Sequence, residues 1–217
     1  MAKIVLFGAS GMIGRRVLAE ALERGHEVTA VVRDPSKITA ASEKLKVRTG
    51  DVTDPAAVTR LAQGADAVIA AVSQRGPGLD QKAAYQKVGE SLVEGLRALG
   101  EDAPHVVTVG GAGSLEVAPG KRLVDQPGFP DVYKGEALAH ADLLGWLRGV
   151  HDVKWSYASP SAEIAPGERT GKFRVGGNEL LSDDEGRSFI SAEDFAVALV
   201  DEAESSAHVG ERFTVGY

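Results

Sequence analysis

A short apolar run, Ile4–Phe7, ends in Gly8-Ala9-Ser10-Gly11-Met12-Ile13-Gly14, and this glycine-punctuated loop constrains the fold more than any other feature of the chain. The first glycine permits a tight turn. The second lets backbone approach a phosphate, and the third allows a helix to pack closely on the strand. Three glycines alone say little, but here they follow a strand and open a helix. Gly11 to Arg24 has Ile13, Val17 and Ala21 at four-residue steps and Gly25 as its stop. A second strand, Glu27–Val32, follows at the right distance. The helix would aim its free N–H groups and positive dipole end at the loop, as a dinucleotide pyrophosphate requires.

The same alternation runs to the C-terminus. Strands are predicted around Val47–Arg48, Ala67–Ala71, Val106–Val109, Lys154–Tyr157 and Arg212–Val215. Helices are predicted after Asp54-Pro55, over Lys82–Leu99 and Tyr133–Arg148, and from Ser191 to about Glu204. Apolar runs alternating with amphipathic helices predict an α/β chain: a Rossmann-type, doubly wound, mostly parallel sheet with helices on both faces. With no repeat or linker, residues 1–217 are expected to form one nucleotide-binding domain. Two stretches break the rhythm. Residues 114–131 carry Pro119, Pro127 and Pro130 and should be a flap or a disordered loop. Residues 159–188 carry Gly167, Gly171, Gly176 and Gly177 and should form a small substrate-side excursion above the sheet.

The chain has no cysteine, which excludes disulfides, thiolate catalysis and Cys-ligated metals. The five histidines show no metal-ligand spacing, so no metal is expected. A formal net charge of -7 argues against a nucleic-acid or anionic-membrane partner. There is no signal-peptide architecture and no apolar stretch of the ~18 residues a membrane span needs, so a cytoplasmic protein is expected. Monomer and homodimer both stay open.

Cofactor choice turns on the end of the second strand, Val31-Val32-Arg33-Asp34. Arg33 suits a 2′-phosphate, with Ser10 placed to assist, so NADP(H) is preferred; Asp34, one place later, keeps NAD(H) open. Asp51 and Val52 should cover the adenine edge; the competing role for Asp51 is ordering a turn alone. Small residues at Ala70, Ala71 and Val72 would let the cofactor lie close to the sheet.

GASGMIG, VVRDP, GDVTDP and AVIAAV resemble the atypical branch of the short-chain dehydrogenase/reductase superfamily. VVTVGGAGSLEVAPG, FPDVYKGEA, SPSAEIAPGERTGKFRVGG and ISAEDFAVALVDE resemble, more narrowly, the bacterial NADH-flavin reductase family, related to biliverdin reductase B and the NmrA-like proteins. The superfamily's usual triad is a Ser, a Tyr and a Lys four residues after the Tyr. Here Tyr133 holds the Tyr place, Ala137 stands where the Lys belongs, and Gly110-Gly111 replace the Ser. Lys134 is one step along, about 100° round the helix, and Ser114 is the nearest hydroxyl.

The resemblance implies an NAD(P)H-dependent oxidoreductase passing hydride to a flavin or similar flat acceptor, a quinone included, with the flavin as substrate rather than resident cofactor. Stacked rings need positioning more than a placed acid. The glycine exit 110–113 should leave room for the acceptor ring, with Ser114, Tyr133 and Lys134 orienting it and Ser159-Pro160 as the opposite wall. Structural roles compete at each place: helix-start packing for Tyr133, a surface charge for Lys134, loop ordering for Glu168 and Arg169, core-edge packing for His140 on Tyr133's helix face. Competing functions are a non-enzymatic NADP(H) sensor and, less favoured, a sugar-nucleotide epimerase or dehydratase.

Overall fold

The computed structural model describes residues 1–217. In chain order it contains β1 (Lys3–Phe7), α1 (Gly14–Glu23), β2 (Glu27–Val32), β3 (Leu45–Thr49), α2 (Pro55–Ala62), β4 (Ala67–Ala70), α3 (Gln81–Arg97) and β5 (His105–Val109). There follow β6 (Glu116–Ala118), β7 (Lys121–Arg122), α4 (Asp131–Leu147), β8 (Trp155–Pro160), β9 (Glu163–Ala165), β10 (Arg174–Gly176), β11 (Phe189–Ser191), α5 (Ala192–Ser205) and β12 (Glu211–Gly216).

The main sheet has the order β10-β12-β8-β5-β4-β1-β2-β3, with every pair parallel except β10 with β12. The order reverses at β1, beside β4, which opens a crevice at the strand C-terminal ends. The residues of β1 alternate between the faces, so the strand is buried twice over. Ile4 and Leu6 pack with Val17, Leu18, Phe195 and Leu199 under α1 and α5. Val5 and Phe7 pack with Val58, Leu92, Leu96 and Leu143 under α2, α3 and α4. No helix is long and apolar enough to cross a membrane.

The sequence-derived elements are all present, with shifted ends and three substantive differences. First, α1 begins at Gly14 rather than Gly11, because Gly11 N donates to Gly8 O (3.0 Å) in a turn that precedes it. Second, the 114–131 stretch is an ordered flap and not a disordered loop. It folds into the β6–β7 hairpin and short 3-10 turns, and Val124 is buried. Third, the 159–188 excursion does not simply stand above the sheet. Its β10 extends the sheet as an antiparallel edge (Arg174↔Gly216, Gly176↔Thr214), supplying partners to the backbone of β12. Within it, Arg169 makes a two-pronged pair with Glu20 of α1 (2.6 and 2.8 Å). Thr170 and the Gly171 N–H both donate to Asp194 of α5. The ERTG motif therefore pins the excursion to two helices.

Candidate functional site

A cleft of about 1210 Å³ opens over the C-terminal ends of β1, β2, β4, β5 and β8. Its floor is the loop after β1. Gly8 has φ +80°, and a Cβ there would lie 2.3 Å from Ala71 O. A Cβ at Gly14 would lie 2.1 Å from Gly8 O, so Gly14 sits beneath the loop, outside the cleft lining, and seats α1 against β1. Gly8, Ser10, Gly11, Met12 and Ile13 line the cleft. Asp54, Asp80 and Ser191 cap α2, α3 and α5 with their side chains; α1 has no side-chain cap and no acid in its first turn. Arg15 N and Arg16 N donate to Gly11 O (3.1 Å) and Ile13 O (2.9 Å), while the Met12, Ile13 and Gly14 N–H groups have no backbone acceptor, the arrangement that suits a phosphate.

One end of the cleft is bounded by Val31, Val32, Arg33, Gly50, Asp51, Val52 and Thr53. Arg33 is exposed there. Asp34 is not in the lining: its carboxylate accepts from Ser36 N (3.1 Å) and Ser36 Oγ (2.7 Å), and these bonds hold it below the usual carboxylate range. Asp51 orders a turn by accepting from Thr53 N (2.9 Å) and Oγ1 (2.8 Å), which also lowers its pKa, while still lining the cleft. Ala71 and Val72 line the floor next to Gly8, whereas Ala70 is buried in β4 outside it.

The other end is built from the exit of β5, the N-terminal half of α4 and the end of β8. The glycine exit lines the cleft and also lets the chain's own side chains pack closely behind it. A Cβ on Gly110 would lie 2.0 Å from the Tyr157 ring, one on Gly111 3.2 Å from His140, and one on Gly113 2.6 Å from the Ala137 Cβ. Tyr157, His140 and Ala137 thus pack on the side where a Cβ would point, while Gly110–Gly113 line the cleft. Ala137, the residue four after Tyr133, is buried, packs on Gly113 and lines the cleft, so a methyl group stands where the usual lysine would.

Tyr133 lines the cleft and is 54% exposed, and Pro160 faces it across the gap. The remaining three expected acceptor residues lie elsewhere. Ser114 rides one 3-10 turn past the glycines into a separate cavity of about 150 Å³, where its Oγ accepts from Arg212 Nη1 (2.9 Å). Lys134 points out of the cleft, as one helical step from Tyr133 dictates. Ser159 is fully buried and donates to Gly111 O (3.1 Å), tying β8 to the exit of β5.

A hydrogen-bonded cluster in this half went unread in the sequence. Glu136 accepts from Tyr85 OH (2.6 Å) and takes Arg75 Nε (2.9 Å) and Nη2 (2.8 Å). The Gln74 N–H donates to Tyr85 OH (3.2 Å), which holds the loop after β4 onto α4. Burial pushes the Tyr85 phenol up to about 12. Burial would raise Glu136, but Arg75 and Tyr85 together hold it below its ordinary value. Glu136 lies three residues after Tyr133 and so on the same helix face, which was its one sequence signal. Nothing local marked Tyr85 or Arg75.

Beside this cluster His140 is 7% exposed, its ring 4.1 Å from that of Tyr85. Tyr157 OH donates to its backbone oxygen (2.9 Å) and lies 3.2 Å from Nδ1. Burial drives His140 down to about 4, so the imidazole is neutral near pH 7.

Residues 8–206 match a family model described as NAD(P)H-binding. Three similar solved structures carry putative names. An exported protein from Burkholderia pseudomallei is 46% identical (TM-score 0.87) and each chain is covered in full. An epimerase from Bacteroides thetaiotaomicron is 41% identical (TM-score 0.90) over 100% of this chain and 97% of that one. An NADH-flavin reductase from Streptococcus pneumoniae TIGR4 is 33% identical (TM-score 0.88) over 100% and 99%.

Proposed function

This chain belongs to the NAD(P)H-binding family, and from that premise we propose that it is an NADPH-preferring reductase of a flat acceptor, a flavin or a quinone. The observation that carries the reading is that Ala137, the residue four after Tyr133, lines the cleft where the usual lysine would stand, so the acceptor end lacks that cation while the phosphate cradle is intact. Reduction of a carbonyl to an alcohol, and epimerisation through a keto intermediate, both need a placed proton donor or acceptor. A flavin can take its proton from solvent.

The cleft volume, about 1210 Å³, exceeds the ~300–1,000 Å³ typical of a site for one drug-sized ligand, as room for a dinucleotide and an acceptor together requires. The loop Gly8–Ile13 and the uncapped start of α1 would hold the pyrophosphate. Arg33 and Ser10 would hold a 2′-phosphate, and Asp51 and Val52 would bound the adenine. The withdrawal of Asp34 into its own turn favours NADPH over NADH.

Bound NAD(P)H supplies a hydride, two electrons and one hydrogen, and with one solvent proton this makes the dihydro form of the acceptor. The protein's part is alignment. Tyr133 and Pro160 flank the ring site, Phe129 and Pro130 screen it, and neutral His140 backs Gly111 without bringing a charge to it. The test is steady-state oxidation of NADPH by riboflavin, FMN and quinones under anaerobic conditions. Turnover well above the protein-free rate is expected with at least one of them; rates equal to that background with all would overturn the proposal.

A further inference from the structure

Charges at the acceptor end are paired within the protein. The ionisable side chains of opposite sign that line this half are Arg75 against Glu136 and Glu163. Arg75, itself 67% exposed, is held two-pronged by Glu136, which is 14% exposed and whose other oxygen takes the buried Tyr85 OH, so a ligand must compete with Glu136 for the guanidinium. Glu163 pairs with Arg187 (3.1 Å). Lys134, the one further cation near Tyr133 in sequence, stands outside the lining. Around these pairs the walls are flat and weakly polar: Phe129, Pro130 and Tyr133.

We infer that the acceptor entering this half is a planar, uncharged ring system of the riboflavin type, and that the Arg75–Glu136 pair is a specificity determinant against acceptors bearing a phosphate. The inference rests on the proposed hydride transfer to a flat acceptor. A phosphate ester brought here meets two carboxylates already paired with arginines and finds no unpaired cation in this half of the lining. It adds its charge to the cofactor's phosphates and to a chain of formal net charge -7. Like charge without a compensating partner is a means of rejection, and it acts on binding rather than on ring stacking.

Riboflavin and FMN share one ring and differ in one phosphate, so they isolate the effect. With the full-length protein and NADPH at low ionic strength, riboflavin should show a kcat/KM at least tenfold above that of FMN, expressed in KM, with the gap closing as salt is added. Glu136→Gln releases Arg75 and should narrow the riboflavin/FMN ratio at least threefold. Exposed Glu163→Gln, which removes the second carboxylate without touching the α4 cluster, should move the ratio the same way if the first variant does not fold. Equal efficiencies, or a preference for FMN, overturn the inference. Flavin fluorescence quenching by the protein saturated with NADP⁺ reads the same preference without turnover. If neither flavin is reduced, the reductase proposal fails on its own. Tighter riboflavin binding would still uphold the acceptor class, and equal binding, tighter FMN or no binding would overturn it.

Discussion

His140 should make the protein acid-labile in a window where its carboxylates are still ionised, and the structure sets the size of the effect. The imidazole is buried between Tyr85, Tyr157 and Gly111, and its pKa is driven from 6.5 to about 4 by loss of solvation, opposed in part by Glu136. Because the folded-state value is depressed, the unfolded chain takes up the proton first. Stability is full above about pH 6.5 and is lost as pH falls toward the folded value. At 1.36 kcal/mol for each unit separating the two states, the whole difference amounts to about 3 kcal/mol, of which about 2 kcal/mol should be lost between pH 7.5 and 5.0. His105 is also depressed by burial and adds loss of the same sign, so the wild type must be read against His140→Leu, which removes one titration and leaves the other.

The assay is urea denaturation followed by far-UV circular dichroism at several pH values between 7.5 and 5.0. The variant is expected to begin less stable at pH 7.5, having lost the contact with Tyr157, and to lose about 2 kcal/mol less than wild type on acidification. Parallel stability curves, within about 0.5 kcal/mol, would show that His140 titrates normally and refute the burial argument.

Other substitutions separate the parts of the site. Gly8→Ala must place a Cβ 2.3 Å from Ala71 O at a φ of +80°, so dinucleotide affinity by calorimetry should fall by at least about tenfold. Arg33→Ala should weaken NADPH by about tenfold or more, the range of a charge-assisted hydrogen bond, and leave NADH nearly unchanged. An equal loss for both cofactors would remove Arg33 from the 2′-phosphate site. Tyr133→Phe should reduce kcat with riboflavin by less than about threefold. A fall in the ~10²–10⁴ range would identify the phenol as a proton donor and contradict solvent protonation. Arg169→Met takes a two-pronged partner from Glu20, which keeps Arg24, and should cost about 1–2 kcal/mol in denaturation with no change in Kd for NADPH.

The doubly wound sheet and the phosphate cradle were legible in the chain because their signals are local. A buried parallel strand, a glycine turn and a helix face are each written within about ten consecutive residues. Gly8, Ser10, Gly11, Met12, Ile13, Arg33, Asp51, Val52, Ala71 and Val72 accordingly line the cleft. Tyr133 and Pro160 also reached the cleft, carried there by α4 and β8. The absence of the Tyr-Lys pair was equally plain, since it concerns two positions on one helix.

What lies between helices and loops was not legible. Ser114, Lys134 and Ser159 were neighbours of the site in sequence, yet a 3-10 turn, a helical step and an inward-facing strand position took each away from it. Gly110 to Gly113 line the cleft, but that Tyr157, His140 and Ala137 pack closely behind them has no local signal. Arg75, Tyr85 and Glu136 come from a loop and two helices up to 61 residues apart, and no local pattern links them. Sequence by itself determined that a dinucleotide cradle would form, because backbone conformation and periodicity are local. Which side chains line the other half of the cleft was decided by tertiary packing alone, because close packing lets one side chain claim a space only by excluding another from it.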